Sequence, residues 1–280
     1  MTDNSDEGAF WSGPAGAKWI EHEAEQDHFL SGIAAAVVRE AGLSRGQRVL
    51  DIGCGTGAVS LLAATAVGSE GHVLATDIAP PFVDRVKQRA KHLAHVSADV
   101  GDAQTATWPE PLFDAALSRF GVMFFSDPSA AFANIARALR PGGRMVFAAW
   151  GHVKDNPYWR EPRRLVDELI APQKPGVPNA PGPMGLADAD WTVERMRAAG
   201  LDEVAVETRD IPLLHEGGAA GAADLSLRIG PAVRPLAEVE ATDDQIAAFK
   251  AEVTRAFQPY ESNGLARIPS TVHLYTARRA

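Results

Sequence analysis

Short apolar runs alternate with helix-like segments across residues 46–150. The predicted strands are Val49–Asp51, His72–Asp77, Val96–Ala98, Phe113–Ser118 and Arg144–Trp150. The predicted helices between them are Ala58–Val67, a segment from Pro80 or Pro81 to about Ala90, and about Pro128–Leu139, which ends at a turn over Arg140–Gly143. Strands that alternate with helices in this way indicate a parallel, doubly wound α/β sheet, whose ligands bind at the carboxyl ends of the strands.

The segments on either side of this core have different patterns. We expect residues 1–10 to be mobile, and Ala15–Leu43 to be helical with a break near Asp27. Tyr158–Ile170 predicts a helix, whereas the prolines of residues 172–183 predict an extended connection. The remaining predicted elements are helices over Trp191–Ala199, Ala219–Ile229 and Asp243–Phe257, and strands over Val204–Ile211 and Thr271–Ala277.

Composition narrows the class of protein. The chain has 280 residues, of which 46% are hydrophobic and 22% charged, so a normal globular core is expected. A net charge of −9 argues against a nucleic-acid partner, because phosphate neutralisation needs clustered Lys and Arg. No run approaches the ~20 apolar residues of a membrane helix, and the acidic N-terminus does not look like a signal peptide. We therefore expect a cytoplasmic protein without a membrane partner, either a monomer or a homodimer.

Metal and thiol chemistry are not indicated. Cys54 is the single cysteine, so an intrachain disulfide and a cysteine-rich zinc site are excluded. The sequence shows no other metal-ligand spacing, and we expect no metal ion.

A glycine-rich turn follows the first predicted strand. Gly53, Gly55 and Gly57 would let a ligand approach the backbone, and the helix that begins at Ala58 offers free N–H groups. Because Gly53, Gly55 and Ala58 also satisfy the NAD-binding fingerprint, an NAD(P)-dependent oxidoreductase is one alternative. Asp51 directly before the turn would repel a pyrophosphate and attract an amino group, which favours a cationic ligand.

Several motifs in order resemble the class I S-adenosylmethionine (SAM) dependent methyltransferases, and within them the ubiquinone/menaquinone-biosynthesis-like branch (methyltransferase domain 11/25 type). These motifs are Val49–Gly57, Asp77, Gly101–Ala103, Ser118 and Arg140–Gly143. The resemblance covers about residues 15–150. It implies a Rossmann-like, mostly parallel sheet of seven strands, with the last strand antiparallel between the fifth and the sixth. N-terminal helices and a helical cap would lie over the strand ends.

The resemblance also implies SAM as the methyl donor and S-adenosylhomocysteine as the product. Asp51 would meet the ammonium group of SAM, Asp77 the ribose hydroxyls, and Asp102 the adenine amino group. The full set of implied cofactor-binding residues is Asp51, Gly53, Gly55, Gly57, Asp77, Ile78, Asp102, Ala103 and Ser118. Two alternatives stay open: Asp77 and Asp102 could cap a helix and a turn, and Asp99 could replace Asp102.

The acceptor is expected to be a small organic molecule, methylated on an O, N or C atom, such as a secondary metabolite or a quinone-like compound. The candidate acceptor-binding residues are Trp19, Arg119, Phe120, Tyr158 and Trp159, and the candidate general bases are His22, His28 and His152. The sequence lacks the Asn/Asp-Pro-Pro-Tyr/Phe motif of many amide and nucleobase methyltransferases. A SAM-binding subunit that does not transfer methyl groups is a further alternative.

We expect one methyltransferase domain over residues 1–280. It would consist of an N-terminal helical lid (1–45), a SAM-binding core (46–150), acceptor-side cap insertions (151–190 and 212–268), and the end of the sheet (191–211 and 269–280).

Overall fold

The computed structural model describes residues 4–108, 112–172 and 175–280. Its strands are β1 Arg48–Ile52, β2 His72–Asp77, β3 Val96–Val100, β4 Phe113–Arg119, β5 Leu139–Trp150, β6 Leu201–Asp210, β7 Leu213–His215, β8 Glu261–Ser262, β9 Leu265–Ile268 and β10 Thr271–Arg279. Its α-helices are α1 Ser5–Ser12, α2 Pro14–Glu21, α3 Glu23–Phe29, α4 Ser31–Ala41, α5 Ala58–Val67, α6 Pro80–Arg89, α7 Pro128–Ala138, α8 Pro157–Leu169, α9 Ala189–Ala198, α10 Gly218–Arg228, α11 Val233–Glu238 and α12 Asp243–Phe257.

Seven strands form the main sheet, in the order β3-β2-β1-β4-β5-β10-β6. Strands β1 to β5 pair in parallel, whereas β10 runs antiparallel between β5 and β6. The predicted fold class is therefore confirmed, including the position and direction of the last strand. This order brings the carboxyl ends of β1, β2 and β4 together at one edge.

Helices cover this sheet and bury its apolar strands. Helices α4 and α5 pack on each other and on the central strands, and α7 and α9 pack on each other beside β5 and β6. Strand β1 is buried at four of its five residues, as expected for a parallel strand covered on both faces. Phe132 of α7 stacks on Phe147 of β5, and Phe147 stacks on Tyr275 of β10, so the core continues to the antiparallel end.

A second, smaller unit of structure lies in residues 212–268. Strands β7, β9 and β8 form a three-stranded sheet that the sequence did not predict. Helix α12 packs on α8 and on α10, and α10 packs on β9. Helix α12 has the predicted bounds and begins at a capping box of Thr242 and Gln245.

Three local predictions were wrong. Residues 1–10 are not a mobile tail, because α1 begins at Ser5; residues 1–3 lie outside the described ranges. The break near Asp27 is also wrong, since Asp27 lies inside α3 and the helices end at Glu21 and Phe29. The turn at residues 140–143 is a bulge within β5, because Phe113 pairs with Leu139 and the next paired residues are Ala115 and Arg144.

No helix of the described ranges is both long and apolar enough to cross a bilayer.

Candidate functional site

The glycine turn after β1 has a backbone conformation that favours glycine. Gly53, Gly55 and Gly57 have φ angles of 59°, 52° and 91°, which cost other residues roughly 1–2 kcal/mol each. A Cβ atom at Gly53 would lie 2.6 Å from the Cα atom of Gly121, in the loop after β4. The sequence did not indicate Gly121, because its part in shaping the turn comes from a spatial approach rather than from a local pattern.

Asp77, at the end of β2, holds this turn in place. One carboxylate oxygen accepts a hydrogen bond from the Gly55 N–H at 2.9 Å, and the other accepts from the Ala79 N–H at 3.0 Å. Burial raises the pKa of Asp77 to about 6, against the opposing effect of these backbone hydrogen bonds. One oxygen thus bonds the backbone just before α6, but it does not cap the helix, which begins after Ala79 without a side-chain cap.

Asp51 is buried beneath the turn, with 1% of its surface exposed. The Ser60 hydroxyl of α5 donates to Oδ2, whereas Oδ1 has no hydrogen-bond partner among the described residues. Burial raises the pKa of Asp51 to about 7, although the Ser60 hydrogen bond and the charge of Arg119 oppose the shift. A buried carboxylate oxygen without a partner is a strong candidate for a ligand contact.

Arg119, at the end of β4, lies on the same side as Asp51. Its side chain is 9% exposed, and Nη2 is 4.0 Å from Oδ1 of Asp27 in α3. Its Nη1 atom is buried and has no partner in the described part of the chain. Burial lowers the pKa of Arg119, and the charges of Asp27 and Asp51 oppose that shift. The guanidinium remains charged, since arginine is not deprotonated in proteins.

These groups share one cavity of about 50 Å³. Its lining residues are Trp19, Asp51, Gly53, Cys54, Gly55, Val59 and Arg119. The structure therefore brings Trp19 and Arg119, predicted for the acceptor, to the predicted cofactor residues. Burial raises the pKa of the Cys54 thiol well above its usual range, which leaves it a packing residue rather than a nucleophile.

Helix α3 is fixed over the turn by ion pairs to α6. Glu23 accepts from Nε of Arg85 at 2.8 Å, and Asp27 accepts from Arg89 at 2.8 Å. Arg89 also donates to the backbone oxygen of Thr56, inside the glycine turn. The N-terminal helices are thus linked to the site by charge as well as by packing.

The residues predicted to bind adenine contact Asn4 and helix α1 near the start of the chain. The Asn4 side chain donates to Oδ1 of Asp102 at 2.9 Å, and the Gln104 N–H donates to the same oxygen. The turn-capping alternative therefore holds for that oxygen. A Cβ atom at Gly8 of α1 would lie 3.2 Å from Ile78, so α1 packs on this residue.

Two further residues bear on the choice between Asp102 and Asp99 for the adenine contact, and they differ in exposure. Ala103 is buried beside Asp102, and Asp99 is exposed on β3.

The Ser118 hydroxyl is committed to the protein backbone. It donates to the Ile52 oxygen at 2.8 Å and accepts from the Gly121 N–H at 3.1 Å. It joins the end of β1 to the loop after β4, which supports the approach of Gly53 and Gly121. The role of Ser118 in binding the cofactor stays a prediction.

Three aromatic residues form a continuous wall beyond Arg119. Phe120 has a φ of 67°, uncommon for a bulky residue, and its ring stacks on Trp150 at 4.2 Å. Trp159 lies edge-on to Trp150 at 5.8 Å, and its Nε1 is buried without a partner among the described residues. We call Phe120, Trp150 and Trp159 the aromatic wall. Trp150 was not a candidate from the sequence, where it is the last residue of a strand.

Tyr158 is placed in the interior of the cap. It is buried, with its ring 4.8 Å from Phe29 and 6.1 Å from Phe257. Like Phe120 and Trp159, it is not among the residues that line the cavity. Burial raises the pKa of its hydroxyl, which stays protonated. The packing of its ring against Phe29 and Phe257 does not support the prediction that Tyr158 contacts the acceptor.

The three candidate bases are also not among the cavity residues. His22 accepts a hydrogen bond from Nη1 of Arg228 at 2.8 Å through Nδ1. The His28 side chain is 44% exposed and lies 3.9 Å from Glu216, and His152 is exposed before a short 3-10 turn.

His215 was missed, and it lies in a charged cluster with the lid. Its Nε2 is 2.8 Å from Glu25 of α3, and its Nδ1 accepts from the Gly217 N–H. Arg228 donates to the same carboxylate at 2.9 Å. No local pattern could have indicated this pair, since the two residues are 190 positions apart.

Sequence comparison identifies the central part of the chain. Residues 49–143 match the family described as a methyltransferase domain. Aklanonic acid methyltransferase DauC from Streptomyces sp. (strain C5) is 41% identical over 106 residues, which cover 37% of this chain and 48% of that protein. The chain thus spans about half the length of this relative.

Solved structures share the fold at low sequence identity. Phosphoethanolamine N-methyltransferase 2 of Haemonchus contortus, in complex with S-adenosyl-L-methionine, has a TM-score of 0.59 at 16% identity, over 100% of this chain and 60% of that chain. The [4+2]-cyclase SpnF has a TM-score of 0.54 at 21% identity, over 88% of this chain and 79% of that chain. Residues 49–143 therefore contain a methyltransferase domain, and the seven-stranded sheet around it has the fold of these solved structures.

Proposed function

We propose that the protein binds SAM at the glycine turn and transfers the methyl group to a small organic acceptor. The observation that carries the proposal is the unpaired Oδ1 of Asp51, a buried acceptor beside a turn that glycines leave open. A buried carboxylate oxygen is costly without a partner, and an ammonium group would supply one.

The remaining residues fit the other parts of SAM. A carboxylate has about four lone-pair sites, so Asp77 could accept from ribose hydroxyls while it still holds Gly55 and Ala79. Ile78 would pack on the adenine ring, and Asp102 would accept from the adenine amino group. When bound, SAM supplies a sulfonium that already activates the methyl group. The protein then has to orient the acceptor and exclude water.

The charge distribution disfavours the nicotinamide alternative. Three carboxylates and two cations lie at or next to the glycine turn: Asp27, Asp51, Asp77, Arg89 and Arg119. A pyrophosphate carries two negative charges and would meet net repulsion from this set. NADH binding, followed by fluorescence, is the direct test of this alternative, and we expect none.

The aromatic wall supports a planar, oxygen-bearing acceptor. Its rings offer stacking surface, and the unpaired Trp159 Nε1–H is a donor for an acceptor oxygen. The name of aklanonic acid methyltransferase indicates an organic acid as the substrate of that relative. The net charge of −9 favours such a small molecule over a nucleic acid. The choice among O, N and C atoms, and of a general base, depends on the acceptor.

Two measurements test the proposal together. Calorimetry should show binding of S-adenosylhomocysteine, and incubation with SAM and a panel of phenols, quinols, aromatic carboxylic acids and amines should release S-adenosylhomocysteine with at least one of them. Absence of binding would overturn the proposal. Binding without release for any acceptor would favour the non-catalytic alternative, for which the shared fold with a [4+2]-cyclase leaves room.

A further inference from the structure

From the placement of Arg119 we infer that this residue binds the carboxylate of the methionine end of SAM, so that the protein selects donors with a complete amino-acid end. The inference rests on the proposed function. It assigns Arg119 to the methyl donor, whereas the sequence analysis predicted that Arg119 binds the acceptor.

Unpaired buried polar atoms concentrate around the cavity. Six side-chain nitrogen or oxygen atoms in the described ranges are buried without a hydrogen bond, although one of them, Nε of Arg228, lies 2.7 Å from Asp224 in an ion pair. Four of them belong to Asp27, Asp51, Thr56 and Arg119, which lie in or beside the glycine turn and its covering helix. Native proteins leave few such atoms, and a group of them at one place indicates a site built for a polar ligand.

The signs of the charges match an amino acid. The cavity is lined by one carboxylate with an unpaired oxygen, Asp51, and one guanidinium with an unpaired nitrogen, Arg119. A zwitterion satisfies both, with its ammonium on Asp51 and its carboxylate on Arg119. Arginine suits this role because its planar fork of donors matches the geometry of a carboxylate.

The nearby carboxylate of Asp27 leaves the Arg119 guanidinium available to bind a ligand. Oδ1 of Asp27 is 4.0 Å from Nη2, which exceeds hydrogen-bond distance. The other oxygen of Asp27 is bound by Arg89 at 2.8 Å. Asp27 therefore acts as a nearby counter-charge and does not occupy the donors of Arg119.

Three probes separate the two ends of the ligand. S-adenosylhomocysteine has the ammonium and the carboxylate, 5′-deoxy-5′-(3-aminopropylthio)adenosine has the amine alone, and 5′-methylthioadenosine has neither. Calorimetry near pH 8.5, where Asp51 is ionised, should give wild-type protein a preference of at least about tenfold for S-adenosylhomocysteine over the amine.

The variant Arg119→Gln should lose about 10- to 100-fold in affinity for S-adenosylhomocysteine. Its affinities for the amine and for 5′-methylthioadenosine should change by less than about threefold, because neither ligand has a carboxylate. Arg255→Gln, on the exposed surface of α12, is the matched control and should leave all three affinities unchanged.

Two results would overturn the inference: equal losses for S-adenosylhomocysteine and the amine in Arg119→Gln, or no preference between them in the wild type. The wild-type comparison needs no variant, so it decides the matter even if Arg119→Gln fails to fold. If wild-type protein binds none of the probes, the proposed function has failed and the inference falls with it.

Discussion

The backbones of Gly53 and Gly121 approach each other so closely that neither has room for a side chain. A Cβ atom on Gly121 would lie 2.7 Å from the Cα atom of Gly53 and 2.7 Å from the oxygen of Ile52. The Ser118 hydroxyl, bonded to Ile52 and to Gly121, fixes the same two segments. The end of β1 and the loop after β4 therefore form one rigid unit.

Gly121→Ala should destabilise the fold and weaken ligand binding. The added methyl group must push the two backbones apart, at a cost of about 1–3 kcal/mol. We expect the melting temperature to fall by roughly 2–10 °C and the affinity for S-adenosylhomocysteine to fall with it. Gly176→Ala is the control, since that position has open space around it. Equal melting temperatures for the two variants would contradict the steric argument.

Asp77→Ala should reduce the affinity for S-adenosylhomocysteine by about 10- to 100-fold. The substitution removes the proposed ribose acceptor and leaves the N–H groups of Gly55 and Ala79 without theirs. Asp99→Ala, on the exposed end of the neighbouring strand, is the matched control and should bind normally. Calorimetry measures both, and an unchanged affinity in Asp77→Ala would contradict the proposed ribose contact.

Binding should depend on pH through Asp51. Its pKa of about 7 means that the carboxylate is mostly neutral at pH 6 and ionised at pH 8. The affinity for S-adenosylhomocysteine should therefore rise by roughly tenfold between these values, because an ammonium binds the charged form. In Asp51→Asn the rise should shrink to the smaller contribution of Asp77, whose pKa is about 6. An unchanged pH profile in this variant would show that another group titrates.

Asp51 should also make stability depend on pH, with the opposite sign. Unfolded aspartate loses its proton near pH 3.8 and folded Asp51 near pH 7, so the folded state holds the extra proton between these values. Stability is then lost as pH rises from about 4 to 7. Asp51→Asn should match the wild type below pH 4 and exceed it at pH 8 by about 2–4 kcal/mol in urea unfolding. A variant less stable than wild type at pH 8 would contradict this account.

Glu23→Gln should loosen the N-terminal helices. Glu23 accepts two hydrogen bonds from Arg85 of α6, and this pair holds α3 over the site. Loss of its charge should cost about 1 kcal/mol and speed hydrogen exchange in α1 to α3 by roughly threefold to tenfold. Glu252→Gln removes an exposed ion pair of α12 and serves as the control. If both variants exchange alike, the pair does not hold the helices.

The parts of the fold and the site that could be predicted depend on residues that are close together in the sequence. Helix α5 and strand β2 have the predicted bounds, and the glycine turn and Asp77 lie at the edge that the sheet topology predicted. The backbone conformation of a helix, a strand or a tight turn depends on a few neighbouring residues, so a short stretch of sequence is enough to predict it. The alternation of strands and helices also predicted the parallel sheet, whereas the position of the antiparallel last strand was implied by the resemblance to a known family.

The parts that could not be predicted depend on distant pairs. Asn4 meets Asp102 across 98 positions, and Glu25 meets His215 across 190 positions. A helix break was predicted near Asp27, yet this residue lies inside α3 and its charge is matched by Arg89 from another helix. Pairings of this kind leave no periodic pattern in the chain.

Phe120 connects the two halves of the site through its backbone. Its left-handed conformation costs roughly 1–2 kcal/mol, which stacking on Trp150 offsets in part. Arg119 and Gly121 flank it on the side of the proposed donor site, and Trp150 extends toward Trp159 on the side of the proposed acceptor site. We therefore expect a shift at this residue to affect the binding of both proposed ligands. By thermodynamic reciprocity, a donor that strengthens acceptor binding through Phe120 must itself be bound more tightly by the same factor once the acceptor is present.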